Sequence, residues 1–133
     1  MGQCTASRGD IIFVKPGHAE TVSSAAFIAL DVAGIALIGL GRGANRPTLT
    51  WSTTTSTITV AANDILVHNF LCLGTAATTF TAVAFNNANA VVANNFTVDS
   101  CEFRDAAATT GFIAIVTSGT TANQGDGLQQ IPL

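Results

Sequence analysis

NDILVHNFLCLGTAATTFTAVAF, from Asn63 to Phe85, and NNFTVDSCEFRDAAATTGFIAIV, from Asn94 to Val116, are one pattern written twice. The two stretches have equal length, begin 31 residues apart, and share Asn63/Asn94, Val67/Val98 and the tetrapeptide AATT. A third copy emerges at a spacing of 30, where Ile35 and Leu37 fall on Ile65 and Val67, Gly39 on Asn69 and Leu40 on Phe70. Repeats of about 20 to 50 residues signal stacked architectures, in which each unit buries its apolar face on its neighbours.

Within each unit the alternation is that of β-strands. Ile65 and Val67 point one way and Leu66 and His68 the other, and Phe96 and Val98 do the same against Thr97 and Asp99. Then the parity slips, and Phe70 and Cys72, like Cys101 and Phe103, take the inward positions. A period of two cannot change phase without a bend. The residue at the slip is Gly39, Asn69 or Ser100, and Gly and Asn tolerate the left-handed conformation of a sharp corner. Each unit therefore reads as strand, one-residue corner, strand. A third strand follows the AATT turn, as Phe80–Phe85 and Phe112–Val116. Three short strands per repeat, stacked in register at the ordinary ~4.8 Å strand spacing, describe an all-β parallel β-helix. The expected core columns are Ile35/Ile65/Phe96, Leu37/Val67/Val98 and Leu40/Phe70/Cys101, with Phe103 also facing inward. A helical reading fails because apolar residues do not recur at three and four. A β-sandwich would need hairpin signals, and the one Asp-Gly pair, Asp126–Gly127, lies beyond the repeats.

At 133 residues the chain is of single-domain size. It carries five basic and eight acidic residues, and between Arg46 and Asp99 the sole charge is Asp64. Such a surface of Thr, Asn, Ser, Gly and Ala has little charge to hold a free monomer in solution, so much of it is expected to face other protein. A net charge of −3 without a Lys/Arg cluster argues against nucleic acid. Cys4, Cys72 and Cys101 are odd in number and lack metal-site spacing, so a reduced compartment with Cys72 and Cys101 as small core residues is expected. MGQCTASRGD has no apolar core and does not read as a signal peptide. Val22–Leu40 is apolar and long enough to span a membrane, but Asp31 at its centre costs roughly 2.5–3.5 kcal/mol, and the repeat runs through it. No membrane association is expected.

Few residues offer chemistry. Asp99, Glu102, Arg104 and Asp105 are the best catalytic candidates; by parity Asp99, Glu102 and Arg104 point outward, two carboxylates that could hold a hard cation beside a basic residue. The preceding repeat answers them with His68, Leu71 and Leu73, which complete no site. His18 and His68 lack metal-ligand spacing, and Thr53–Ser56 has no adjacent base. Arg8-Gly9-Asp10 is too short a match to count, and GLGRG (Gly39–Gly43) lacks the ending of a phosphate loop. No catalytic residue, metal or cofactor is therefore expected.

Interface candidates are clearer. In RGANRP, Arg42 takes the place of Cys72 and Phe103, so the copy breaks and a longer turn projects. Arg42, Asn45 and Arg46, with Trp51 behind them, are of the types that recognition loops present. Phe80–Phe85 and Phe112–Val116 are apolar on both faces, so one face needs a partner. Alignment of Val83 with Ala114 and Phe85 with Val116 makes a strip, with Phe112 at its start. The tail TSGTTANQGDGLQQIPL follows, and Leu128, Ile131 and Leu133 are expected to dock on a neighbouring chain.

GDIIFVKPGHAETV (Gly9–Val22), GIALIGLGRGANRPTLTW (Gly34–Trp51) and NNFTVDSCEFRD (Asn94–Asp105) resemble the rungs of right-handed, pectate-lyase-like β-helix proteins. They are similar in particular to small β-helical proteins encoded among the virion genes of tailed bacteriophages. The resemblance covers about residues 9 to 116. It implies a right-handed, single-stranded parallel β-helix of about four short rungs (9–33, 34–62, 63–93 and 94–116) within a domain of residues 1–116, followed by an extended arm at 117–133. It further implies a capsid decoration, or cement, protein: a homotrimer on the capsid surface that contacts the major capsid protein and is made in the host cytoplasm. Pectate-lyase-like enzymes share the fold, so the alternative is a carbohydrate-active module, a tail-associated polysaccharide lyase or glycan binder. The absence of Tyr and the single Trp leave no aromatic sugar platform, which favours the structural reading.

Overall fold

In the computed structural model the described residues are 3–76, 82–87, 93–106, 112–117 and 129–131. The strands come in successive triplets. The first is β1 (Ile11–Val14), β2 (Ala19–Val22) and β3 (Ile28–Leu30). The second is β4 (Ala36–Gly39), β5 (Thr48–Trp51) and β6 (Ile58–Val60). The third is β7 (Ile65–His68), β8 (Leu71–Gly74) and β9 (Ala82–Asn87). The fourth is β10 (Phe96–Asp99), β11 (Glu102–Asp105) and β12 (Phe112–Thr117), and β13 (Gln129–Ile131) follows. Every third strand returns to the sheet it left. Among the described residues this gives three parallel sheets: β1-β4-β7-β10-β13, β2-β5-β8-β11 and β3-β6-β9-β12. The protein is all-β, and the one helical turn among the described residues is a short 3-10 segment at Gly43–Asn45.

The repeat columns are the pairing register. Leu37 pairs with Val67 and Val67 with Val98, while Ile65 pairs with Phe96. Val83 pairs with Ala114 and Phe85 with Val116, as the alignment requires. Ile35, Leu37, Ile65, Val67, Phe70, Phe96 and Val98 are buried, and Cys101 and Phe103 pack partly buried against them. The third-sheet strands extend past the expected ends, to Asn87 and Thr117, and Phe80 lies outside the described residues. β3 and β6, which lie beyond the quoted copies, build the same sheet earlier in the chain.

Two sets of corners turn the chain. Asn69 (φ 63°) and Ser100 (φ 53°) are left-handed, as the parity slip demands. A second column, at the start of each triplet, is Gly9, Gly34, Asp64 and Asn95, with φ of 77°, 77°, 58° and 56°. Its members are Gly, Asp or Asn, the types that adopt this conformation at least cost. Side chains stitch this column: Asn95 Nδ2 donates to Asp64 Oδ1 at 2.9 Å, and Asn94 N to Asn63 Oδ1 at 2.9 Å.

The second triplet departs from the expected alignment. Leu40 does not sit on Phe70 but is exposed, and Pro47 takes that place, its carbonyl accepting Leu71 N at 2.9 Å. Arg42 likewise does not occupy the place of Cys72 and Phe103; Leu49 does, paired with Cys72. The cause is an inserted loop between β4 and β5, which Asn69 holds by donating from Nδ2 to Gly39 O (2.8 Å) and Gly41 O (3.0 Å). Gly39 is not left-handed. It is a glycine because a Cβ there would lie 2.4 Å from Asn69 O.

Candidate interaction surface

The first sheet has an apolar outer face. Its inner column is Ile12, Leu37, Val67 and Val98, in register. Their strand neighbours therefore point away from the core. One outer row reads Ile11, Ala36, Leu66, Thr97, and the next Phe13, Ile38, His68, Asp99. Ile11 is 53 % exposed and Phe13 61 %, among the most exposed large apolar residues described. The face thus grades from hydrocarbon at β1 and β4 to a hydrogen-bonded pair at β7 and β10, where His68 Nδ1 meets Asp99 Oδ2 at 2.8 Å. Ser100 Oγ donates to the other oxygen of Asp99 at 3.0 Å rather than engaging the imidazole, so Ser100 and His68 do not form a nucleophile–base pair. The sequence signal for this face was present in IIFV and ALIGL, which lack a polar residue at alternate positions.

The residues read as interface candidates separate into three groups. Arg42 and Asn45 are exposed on the inserted loop, and Asn45 O accepts Gly17 N at 2.7 Å. Arg46 turns back on its own chain instead: its guanidinium pairs with Glu102, two triplets on. Leu71 lies between them in register, because Thr48 pairs with Leu71 and Leu71 with Glu102. It is buried although it lies outside the core cluster, as expected if the arginine stem crosses it. Trp51 and Phe85 are fully buried, which corrects their reading as surface contacts. The rings of Trp51 and Phe112 sit 5.3 Å apart and those of Phe103 and Phe112 5.7 Å, so Phe112 also packs on the core. Ala84 and Phe85 are both fully buried within one chain, so β9 leaves no open apolar face at that point. Val83 is placed only by its pairing with Ala114. In the tail, Ile131 pairs with Asp99 of the same chain, so this part of the arm forms the last strand of the first sheet instead of reaching a neighbour. Leu128 and Leu133 lie outside the described residues.

The carboxylates are engaged. Asp99 and Glu102 fall on different sheets across the Ser100 corner. Asp99 bonds His68, Glu102 bonds Arg46 with Arg104 at 3.7 Å, and Asp105 Oδ1 accepts Phe112 N at 3.2 Å. The hydrogen bond from Arg46 holds the Glu102 carboxyl below its ordinary pKa. Arg8 and Asp10 close on each other through contacts of 2.7 and 3.0 Å, which lowers the Asp10 pKa and ties the two charges of the Arg-Gly-Asp tripeptide to each other. Burial pushes the Cys101 thiol up to about 11 and raises Cys72 as well, as suits packing residues. Among the described residues no group of three His, Cys, Asp or Glu could hold a metal ion, and no helix is long and apolar enough to cross a membrane. No described protein family, curated protein or solved structure matches the chain.

Proposed function

We propose that the chain is a right-handed, single-stranded parallel β-helix of about four rungs that serves as a structural assembly protein. Its specific role is a capsid decoration, or cement, protein: a homotrimer that binds the major capsid protein at the surface of a phage shell. The return of every third strand to its own sheet supports the helical path. The observation that carries the assembly role is the outer face of the first sheet. Ile11 and Phe13 stand exposed beside Ile38 and Leu66 on a rigid, hydrogen-bonded scaffold with very few charges. Contiguous exposed apolar surface of this kind marks sites of protein contact. A glycan binder would instead present aromatic platforms, whereas the one Trp here is in the core.

The test is the copy number of the chain in purified virions, by quantitative mass spectrometry. Decoration predicts hundreds of copies, in proportion to the major capsid protein. A handful would point to a tail fibre or spike, and absence from virions would overturn the proposal.

A further inference from the structure

We infer that the end of the stack formed by the first triplet is a docking site for a partner polypeptide that presents an apolar side chain beside a lysine or arginine. Among the described residues β1, β2 and β3 each lie at the end of their sheets, so three strand edges are open together. Between them the bore opens into a cavity of about 250 Å³, floored by Leu37, Leu49 and Phe70. That volume is below the roughly 300–1,000 Å³ of sites for drug-sized ligands, and it suits one side chain.

The rim is acidic where the pattern calls for hydrocarbon. Glu20 pairs with Leu49, Leu49 with Cys72, and Cys72 with Phe103, so a carboxylate stands at the head of an inward-facing column. Its contact among the described residues is His18 Nε2 at 3.6 Å, too long for a good hydrogen bond, and the Glu20 side chain is 44 % exposed. The carboxylate therefore keeps acceptor capacity toward whatever enters. An apolar floor with an acidic rim matches a guest whose hydrocarbon goes in first and whose cation stays at the mouth. The same carboxylate disfavours a second copy, because docking two such mouths head to head would put two Glu20 carboxylates into one shared apolar bore. Inward-pointing charge is a recognised means of blocking strand-edge pairing between copies.

This inference rests on the proposed assembly role only in taking a protein as partner. The probes are N-acetyl-Leu-Lys-amide and N-acetyl-Leu-Glu-amide, titrated into the full chain while backbone amide shifts are followed. The lysine probe should bind in the millimolar range, shift Glu20, Phe27 and Leu49, and bind about tenfold more tightly than the glutamate probe. Glu20→Gln, a substitution of equal shape, should remove that preference. Leu49→Trp should fill the cavity and abolish binding by both, with the circular dichroism spectrum unchanged. Equal affinity for the two probes, no binding, shifts elsewhere, or a preference that survives Glu20→Gln would each overturn it. A monomer that still prefers the lysine probe would refute the trimer and leave this inference standing; a trimer without that preference would do the reverse.

Discussion

Phe85→Ala separates core from interface at a position where the sequence pattern points outward and the structure points inward. Phe85 is fully buried, and its ring centroid lies 5.2 Å from that of Phe96, 6.3 Å from Phe103 and 6.4 Å from Trp51. Its backbone is held between Ile58 on one side and Val116 on the other. The stacked strands cannot close on a missing ring without breaking register, so the cavity should persist. Phe→Ala in such a site costs about 3–5 kcal/mol. Domains are stable by only about 5–15 kcal/mol, so a fifth or more of the total is lost. At roughly 3–5 °C per kcal/mol for a chain of this size, the unfolding temperature should fall by about 10–25 °C. Phe85→Leu, which keeps most of the volume, should recover over half of the loss. The assay is thermal and urea unfolding followed by circular dichroism, with native mass measured in parallel. A variant that melts within about 3 °C of the parent but loses its oligomeric mass would refute the burial argument and restore Phe85 to an interface.

Further expectations follow from individual contacts. Gly39→Ala places a Cβ 2.4 Å from Asn69 O and should destabilise by about 1–3 kcal/mol in urea unfolding. Asn69→Ala loses the bonds to Gly39 O and Gly41 O and strains a left-handed corner, whereas Asn69→Gly keeps the corner, so the glycine variant should be the more stable of the two. Glu102 has a depressed pKa in the folded chain, so its contribution is complete above the unfolded value of about 4.3 and is lost as pH falls through the folded value. Unfolding temperature should therefore decline below pH ~5, and Arg46→Met should flatten part of that decline. With raised thiol pKa values, Cys72 and Cys101 should resist a disulfide reagent at pH 8 in the native chain and react after unfolding.

Much of this fold is written in the periodicity. Each copy of the pattern becomes one pass through the same sheets, because parallel in-register pairing puts identical positions side by side. Val67 sits between Leu37 and Val98 for that reason, and the parity slip locates left-handed Asn69 and Ser100. What the pattern could not carry is the length of a connection. The loop between β4 and β5 adds residues outside the bore, so counting on from Gly39 put Leu40 and Arg42 where Pro47 and Leu49 belong. The same miscount left Trp51 beside a projecting turn, although its alternation with Leu49 places both inward. The apolar outer face was missed for another reason. The late strands read as two-faced, yet Ala84 and Phe85 are already enclosed there, whereas β1 lies first in its sheet with Ile11 and Phe13 uncovered. Long-range ion pairs such as Arg46–Glu102 span two triplets and leave no mark in a single repeat.

The most direct test of the assembly role is the native mass of the purified chain, by light scattering on a sizing column, with Phe13→Ser alongside. The parent should show three times the 13.5 kDa of one chain. Phe13→Ser should run at the mass of one chain with an unchanged circular dichroism spectrum. A parent that stays monomeric at high concentration, or a variant that remains trimeric, would contradict the assembly role.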